Sequence, residues 1–348
     1  MTYEECEMDL LERLCRAHGV SGFENNVVEI MKAELKKTCE DVHVDNFGNI
    51  IGRRGNGQKK IMLAAHMDEV GFIVKHITKE GFINFVKVGG IDDRILLGQR
   101  VTVKSKKGDA VGVIGSKPPH LQKKEESKSV IKHDQMFIDI GAASKKEAEK
   151  LVEVGDVITF ESAYGTLSKT LHYGKAVDNR VGCYILLKAM EKLPANLKST
   201  VYAVGSAQEE VGLKGARVAA YKLNPDYALA LDTTIAGDTP EIKETESSLK
   251  LGKGPAITIM EASGHGVITH PKVRDVLMKA AKNRRIPVQV DVLEGGVTDA
   301  AIIYLTREGI PSGVISIPVR YIHSPTAVFS ITDVNNAVKL TVEAVKRL

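Results

Sequence analysis

The chain has 348 residues, of which 43% are hydrophobic and 26% charged, with a formal net charge of +4. This is the composition of a globular protein with a sizeable core, and its weak, unclustered basicity gives no electrostatic footprint for nucleic acid. The absence of tryptophan and only 5% aromatic residues leave little for a sugar- or base-stacking platform, and no apolar run approaches the roughly 20 residues that span a bilayer.

Taken in chain order, residues 3–17 carry Leu10, Leu11, Leu14 and Cys15 at helical spacing, with Gly19 as a stop. The acidic, amphipathic start is expected to be a helix rather than a signal peptide. Ser21-Gly-Phe-Glu24 reads as a capping box opening a second helix to about residue 37. Residues 42–44 and 49–53 form a predicted hairpin. Residues 61–65 are continuously apolar, the mark of a strand buried on both faces, and end in His66-Met-Asp68-Glu69.

From residue 70 to about 164 the texture changes to short β-rich runs punctuated by glycine, at 71–78, 82–88, 100–104, 110–115, 136–140 and 157–161. One helical stretch, 144–152, interrupts them. A small β-barrel or sandwich inserted into the chain is expected here. Within it, residues 117–134 are polar and charged and read as a long surface loop.

The α/β texture then resumes. Helices are predicted at 179–192, 213–221, 271–283, 298–306 and 334–347, alternating with strands at 199–205, 227–231, 256–260, 288–293 and 313–317. The alternation predicts an α/β fold with a mostly parallel central sheet flanked by helices. Ligands in such sheets gather at the carboxyl ends of the strands.

That rim is where the chemistry-bearing residues fall. His66 and Asp68, Glu209 and Glu210, Asp232 and His323 each follow a predicted strand, and Asp178 heads a helix. One such residue is unremarkable; five coincidences on one rim point to a shared site. Two adjacent glutamates repel each other, and a cation resolves the repulsion. On an extended backbone they point apart, so one can ligate a metal while the other accepts a proton from bound water; spacing does not say which. Asp178 serves as a helix cap, yet its two oxygens can also bridge two ions. A set of His, Asp and Glu favours zinc, cobalt or manganese over calcium. Cys6, Cys15, Cys39 and Cys183 are scattered, as expected of reduced thiols in the cytoplasm. The remaining histidines read as surface or satisfied core residues.

The ordered set His66-x-Asp68, Asp178-Asn-Arg, Glu209-Glu210, Asp232 and Arg320-Tyr-Ile-His323-Ser-Pro resembles the co-catalytic dinuclear metallo-aminopeptidases, and more narrowly their tetrahedral (TET-type) branch, the deblocking or glutamyl aminopeptidases. The resemblance covers nearly the whole chain, including Gly19-Val-Ser-Gly-Phe-Glu24 and Gly98-Gln-Arg-Val101. It implies a metallo-exopeptidase fold, with residues 1–69 and 164–348 as the catalytic domain and 70–163 as an inserted, barrel-like dimerisation domain. It also implies two divalent ions, zinc or cobalt. Asp178 would bridge them, His66 and Asp232 would complete one site, and Glu210 and His323 the other. Glu209 would be the general base and Asp68 the partner that orients His66. Gly295-Gly-Val-Thr-Asp299 resembles the family's glycine-rich stretch beside the substrate side-chain pocket, giving Thr298 and Asp299 as substrate contacts, with a helix-cap role as the alternative. One departure is Ala327, where relatives often carry an acid. The implied activity is removal of N-terminal residues from short peptides by a dimer-based dodecamer, with no nucleic-acid or membrane partner; hydrolysis of acylated amino acids by the same metal pair is the alternative.

Overall fold

The computed structural model describes residues 3–121, 129–161 and 163–348. Part of the charged loop expected at 117–134 therefore lies outside the described residues. In chain order the helices are α1 (Tyr3–Arg16), α2 (Asn25–Leu35), α3 (Lys145–Leu151), α4 (Val177–Lys192), α5 (Lys214–Leu223), α6 (Pro271–Arg284), α7 (Ala300–Ile303) and α8 (Ile331–Val345). The strands of the α/β part are β1 (Asp41–Val44), β2 (Ile50–Arg54), β3 (Lys59–His66), β10 (Tyr164–Thr166), β11 (Leu171–Gly174), β12 (Ser199–Ser206), β13 (Tyr227–Ile235), β14 (Ala256–Met260), β15 (Gln289–Val292), β16 (Ser312–Arg320) and β17 (Ala327–Ser330). Those of the barrel are β4 (Gly71–Ile77), β5 (Ile83–Val88), β6 (Arg100–Ser105), β7 (Gly108–Gly115), β8 (Phe137–Asp139) and β9 (Val157–Phe160).

The α/β part is built on an 11-stranded sheet. Its centre, β12-β3-β13-β16, is parallel throughout, as the alternating texture predicts. Antiparallel strands flank it: β2 and β1 on one side, β17, β11 and β10 on the other, with β14 and β15 branching from β16. The continuous apolar run of β3 has a direct packing cause. Ile61, Leu63 and Ala65 enter the large core with α1, α2, α4, α6 and α8, while Met62 and Ala64 enter the core under α5 and α7. Both faces of the sheet are covered, so nothing in β3 needs a polar side chain until the strand ends.

The inserted stretch closes into a six-member barrel in the order β4-β5-β8-β7-β6-β9. It has its own core, in which Phe72 meets Phe85 and Phe160 edge-to-face at 5.1 and 5.2 Å between ring centres. Among the described residues no helix is long and apolar enough to cross a membrane.

Several local expectations give way to longer-range contacts. The Ser21–Glu24 capping box does not form: α2 starts at Asn25, Ser21 Oγ donates to Asp68 Oδ2 at 2.6 Å, and Glu24 Oε1 accepts from Gly22 N and Gln208 N. The helix expected over 298–306 is limited to Ala300–Ile303. Asp178 is not the cap of α4. Its backbone is non-helical, and Asn179 Oδ1 instead accepts the Gly182 N–H at 3.0 Å.

Candidate active site

Strand register brings the predicted residues together. Ser206 of β12 pairs with His66 of β3, and Ala230 of β13 with Ala64 of β3, so Asp232, two residues on, stands level with His66. Asp232 is not at a strand end as expected; β13 runs three residues further, to Ile235. The first turn of α4 lays Asp178 over these strands, and the loop after β16 returns His323 to the same place.

Asp178 is the centre of the arrangement. Its Oδ1 lies 3.2 Å from His66 Nε2 and its Oδ2 lies 3.1 Å from His323 Nε2. Asp232 Oδ1 is 3.6 Å and Glu209 Oε2 3.9 Å from His66 Nε2, while Glu210 Oε1 is 3.4 Å from His323 Nε2. Two sets of possible metal-ligating atoms result, His66–Asp178–Asp232 and Asp178–Glu210–His323, each lying within 4.8 Å of one another and sharing Asp178.

Each imidazole is turned by a main-chain oxygen. His66 Nδ1 donates to the Asp68 carbonyl at 3.1 Å and lies farther, 3.5 Å, from the Asp68 carboxylate, the partner expected from sequence. His323 Nδ1 donates to the Gly90 carbonyl at 2.7 Å. Carbonyls only accept, so the Nε2 atoms face the carboxylates.

The Asp68 carboxylate also serves the glutamates. Four successive N–H groups after β12 are each taken by a side-chain acceptor: Ala207 by Asn49 Oδ1 at 3.0 Å, Gln208 by Glu24 Oε1 at 3.1 Å, Glu209 by Asp68 Oδ1 at 2.9 Å and Glu210 by Asp68 Oδ2 at 3.1 Å. This fixes a turn in which the two glutamate side chains diverge, Glu209 towards His66 and Glu210 towards His323.

A buried ionic group lies behind the site. Lys175 Nζ donates to both oxygens of Glu69 at 2.6 Å, Arg180 reaches the same carboxylate at 3.4 Å, and Arg180 Nε donates to the Met67 carbonyl at 2.9 Å. The group ties the segment carrying Asp178 to the one carrying His66 and Asp68. Against its burial, Lys175 and Arg180 hold the Glu69 carboxyl below the usual range. Lys175 and Arg180 flank Asp178 in sequence, and that adjacency is the signal by which this group could be found. No such signal marks Asn49, Ser21 or Gly90.

Electrostatics test whether cations fit. Asp68, Asp178, Glu209, Glu210 and Asp232 face two imidazoles, with all five carboxylates largely removed from water. Burial pushes Glu209 well above the usual carboxylate range, Asp232, Asp299 and Glu210 adding to it against His66. Burial, then Asp178, pushes Glu210 to about 8. Asp178 goes the other way: although buried, it is held low by hydrogen bonds from His323 and His66. Glu210 Oε1 is buried without a hydrogen-bond partner. Excess buried negative charge, an orphan carboxylate oxygen and nitrogen–oxygen donor sets sharing one aspartate suit divalent cations.

Thr298 and Asp299 are both buried. Thr298 Oγ1 donates to Glu261 Oε1 at 2.7 Å and accepts the Ala300 N–H at 3.3 Å, while Asp299, at the cap position of α7, makes no side-chain cap bond. Asp299 accepts from the Ser206 hydroxyl, and burial pushes its carboxyl to about 7.

With this geometry in place, residues 48–340 match the family model described as M42 glutamyl aminopeptidase. The chain belongs to that family. It is 44% identical, over 98% of this chain and 99% of the relative, to a putative aminopeptidase of Acetivibrio thermocellus. Its fold matches the crystal structure of a TET aminopeptidase from the marine sediment archaeon Thaumarchaeota archaeon SCGC AB-539-E09, with a TM-score of 0.95 and 40% identity over 100% of this chain and 98% of that one. It is also similar to the Pyrococcus horikoshii TET1 peptidase, which can assemble into a tetrahedron or a large octahedral shell, with a TM-score of 0.87 and 36% identity over 97% of this chain and 98% of that one. This M42 chain is thus a metal-dependent aminopeptidase, a hydrolase.

Proposed function

We propose that this M42 aminopeptidase removes N-terminal residues from short peptides using two divalent ions, one held by His66, Asp178 and Asp232 and the other by Asp178, Glu210 and His323. The observation that carries the reading is the placement of one Asp178 oxygen against each imidazole. Zinc or cobalt suits the mixed nitrogen and oxygen donors. When bound, such ions supply Lewis acidity and make water a nucleophile near neutral pH.

The chain's own groups do the rest. Glu209 is the proton carrier: it is buried, is not in either ligand set, and has a raised affinity for a proton. Glu209 Oε2 accepts a proton as water adds to the scissile carbonyl carbon, then donates it to the departing amine as the C–N bond breaks. Asp68 holds the turn that aims Glu209. Thr298 and Asp299 shape the substrate side from within, anchored on Glu261 and Ser206. Family membership does not favour hydrolysis of acylated amino acids.

For assembly, the proposed form is a dimer-based homododecamer whose active sites face an inner cavity, limiting access to short peptides. Residues 70–163 would be its inserted dimerisation domain; the exposed Leu97, Val111 and Val113 give the barrel an apolar surface to cover. The proposed compartment is the cytoplasm, consistent with the free thiols of Cys15, Cys39 and Cys183.

Glu209→Gln tests the mechanism. The variant is expected to keep its metal and lose turnover of leucine and glutamate anilides; hydrolysis at the wild-type rate would sink it.

A further inference from the structure

His66 and His323 are oriented by different means. His66 ends a central strand, is 2% exposed, and turns on the carbonyl of Asp68, two residues away in its own chain segment. The side chain of His323 is 32% exposed and sits on a loop, with φ of +57°. The acceptor for its Nδ1 is the Gly90 carbonyl, 233 residues away in sequence and on the inserted barrel. The barrel thereby fixes which nitrogen of His323 carries the proton and where Nε2 points.

The loop presenting that carbonyl packs tightly on Val70 at Gly89 and meets the imidazole at ordinary contact distance at Gly90. Gly89 has φ of +80°, and a Cβ there would stand 2.8 Å from Val70 Cγ1; a Cβ on Gly90 would face the imidazole itself, 3.5 Å from Nδ1. The next residue, Ile91, is buried in the barrel core. What ties the loop down is Lys87 at the end of β5. Its ammonium donates to the Ile91 carbonyl at 2.9 Å and to Asp93 Oδ1 at 2.8 Å, so it closes the loop from both sides of Gly89-Gly90-Ile91. Asp93 is mostly buried, and His133 Nδ1 approaches it at 3.5 Å.

We propose that Lys87 and Asp93 are positioning residues of the active site: their ion pair holds the barrel loop so that the Gly90 carbonyl keeps His323 Nε2 aimed at Asp178 and Glu210. The proposal rests on the reading of His323 as a metal ligand. The bond to the Ile91 carbonyl puts the ammonium on the loop itself, one residue from the Gly90 carbonyl that His323 uses. Removing the ammonium frees that carbonyl and takes the lysine cation from the mostly buried Asp93 carboxylate, leaving it to His133, so the loop shifts where His323 needs it fixed.

The test is a titration of metal-free protein with cobalt(II), read by calorimetry and by the visible spectrum of the bound ion, with mass and melting temperature measured on the same samples. Wild type is expected to show two binding events, and His323→Ala to lose one of them. Lys87→Met is expected to weaken that same event by about tenfold or more and to lower the melting temperature, leaving the other event and the mass unchanged. Lys87→Arg, which can still reach both the Ile91 carbonyl and Asp93, should restore it. If Lys87→Met does not fold, Asp93→Asn, which keeps an acceptor for Lys87 but removes its charge, carries the same comparison. Wild-type binding of both ions by the loosened variant, or equal weakening of both events, overturns the proposal. If His323→Ala leaves both events intact, the ligand reading itself has failed, and that outcome is distinct from failure of the loop.

Discussion

Asp68 holds Glu209 by its backbone rather than by its side chain: Asp68 Oδ1 accepts the Glu209 N–H at 2.9 Å, while Oδ2 takes the next N–H, that of Glu210, at 3.1 Å. Ser21 Oγ adds a third bond at 2.6 Å, and the Asp68 side chain is fully buried. Both carboxylate oxygens are therefore committed to donors. Asp68→Asn keeps the shape but turns an amide NH2 towards one of those donors. Leaving a buried N–H without an acceptor costs about 1–3 kcal/mol. The melting temperature is expected to fall, and turnover of the metal-saturated enzyme to drop by about 10- to 100-fold. A lowered melting temperature with unchanged kcat would confine Asp68 to a stability role.

Asp178 offers a second test because its two oxygens serve two histidines. Asp178→Asn removes the negative charge shared by both donor sets and leaves one oxygen in place of two. The expected result is a folded protein that retains less metal after dialysis than wild type and has no measurable peptidase activity. Metal content by elemental analysis checks the first point and anilide hydrolysis the second. Full metal content after dialysis would mean that the sets do not share this residue.

The legible part of this molecule is what local pattern encodes. The apolar run of β3 shows a strand buried on both faces, and its abrupt end at His66 marks the rim of the sheet. The barrel strands show themselves by glycine punctuation. By contrast, Ser21 and Glu24 have the spacing of a capping box, but their side chains are claimed by Asp68 and by the turn at Gln208, contacts made across 47 and 184 residues. Asp178 and Asn179 are both good capping residues, and only the backbone, with ψ of 106° at Asp178, releases the aspartate to the site and gives the cap to Asn179. The three- and four-residue strands β10, β11 and β17 are too short to show a period. Gly90 acts through its carbonyl, which no side-chain pattern can report.

The pH dependence of metal uptake follows from the crowding of carboxylates. A cation takes only deprotonated ligands. Burial, then Asp178, places the Glu210 carboxyl at about 8 in the metal-free protein, and His323 sits at about 9 because its bonds to Asp178 and the charge of Glu210 outweigh its burial. Both carry protons at neutral pH and must release them on binding. Affinity should therefore rise as pH climbs through this range and level off above it. His66, which against its burial is also raised well above its ordinary value by Glu209 and its other carboxylate partners, adds to the release, so calorimetry in buffers of differing ionisation enthalpy should show net proton release at pH 7 and less at pH 9. Stability carries the same sign. Both groups have folded values above their ordinary ones, so their contribution is fully present below those ordinary values and is lost as pH rises through the folded values. Metal-free protein should lose stability as pH rises from 4.5 towards about 8, where Glu210 is ionised in the unfolded chain but still holds its proton in the folded one, and metal-loaded protein should not. A metal-free melting temperature that climbs over that interval would contradict the charge assignment.

Gly182 gives a prediction about the join between α4 and the sheet. Asn179 Nδ2 donates to the Leu231 carbonyl at 2.8 Å and its Oδ1 accepts from Gly182 N at 3.0 Å, so a single side chain links the start of α4 to the residue before Asp232. The glycine is what allows this. A Cβ at position 182 would stand 2.2 Å from Asn179 Oδ1 and 2.4 Å from the Leu231 carbonyl oxygen, and one of these contacts is with sheet backbone. Gly182→Ala ordinarily favours a helix by roughly 1 kcal/mol, but here the methyl must push α4 off β13 or break the Asn179 bonds. Overpacking of this kind costs about 1–3 kcal/mol, which outweighs the gain in propensity. The expected outcome is a lower melting temperature together with weakened metal binding, because Asp178 and Asp232 lie on the two elements being forced apart. Asn179→Ala alone should weaken metal binding with a smaller loss of stability, since it removes the link without adding volume. A Gly182→Ala variant as stable as wild type would show that α4 can shift without cost, and its metal affinity would then report whether the placement of Asp178 tolerates that shift.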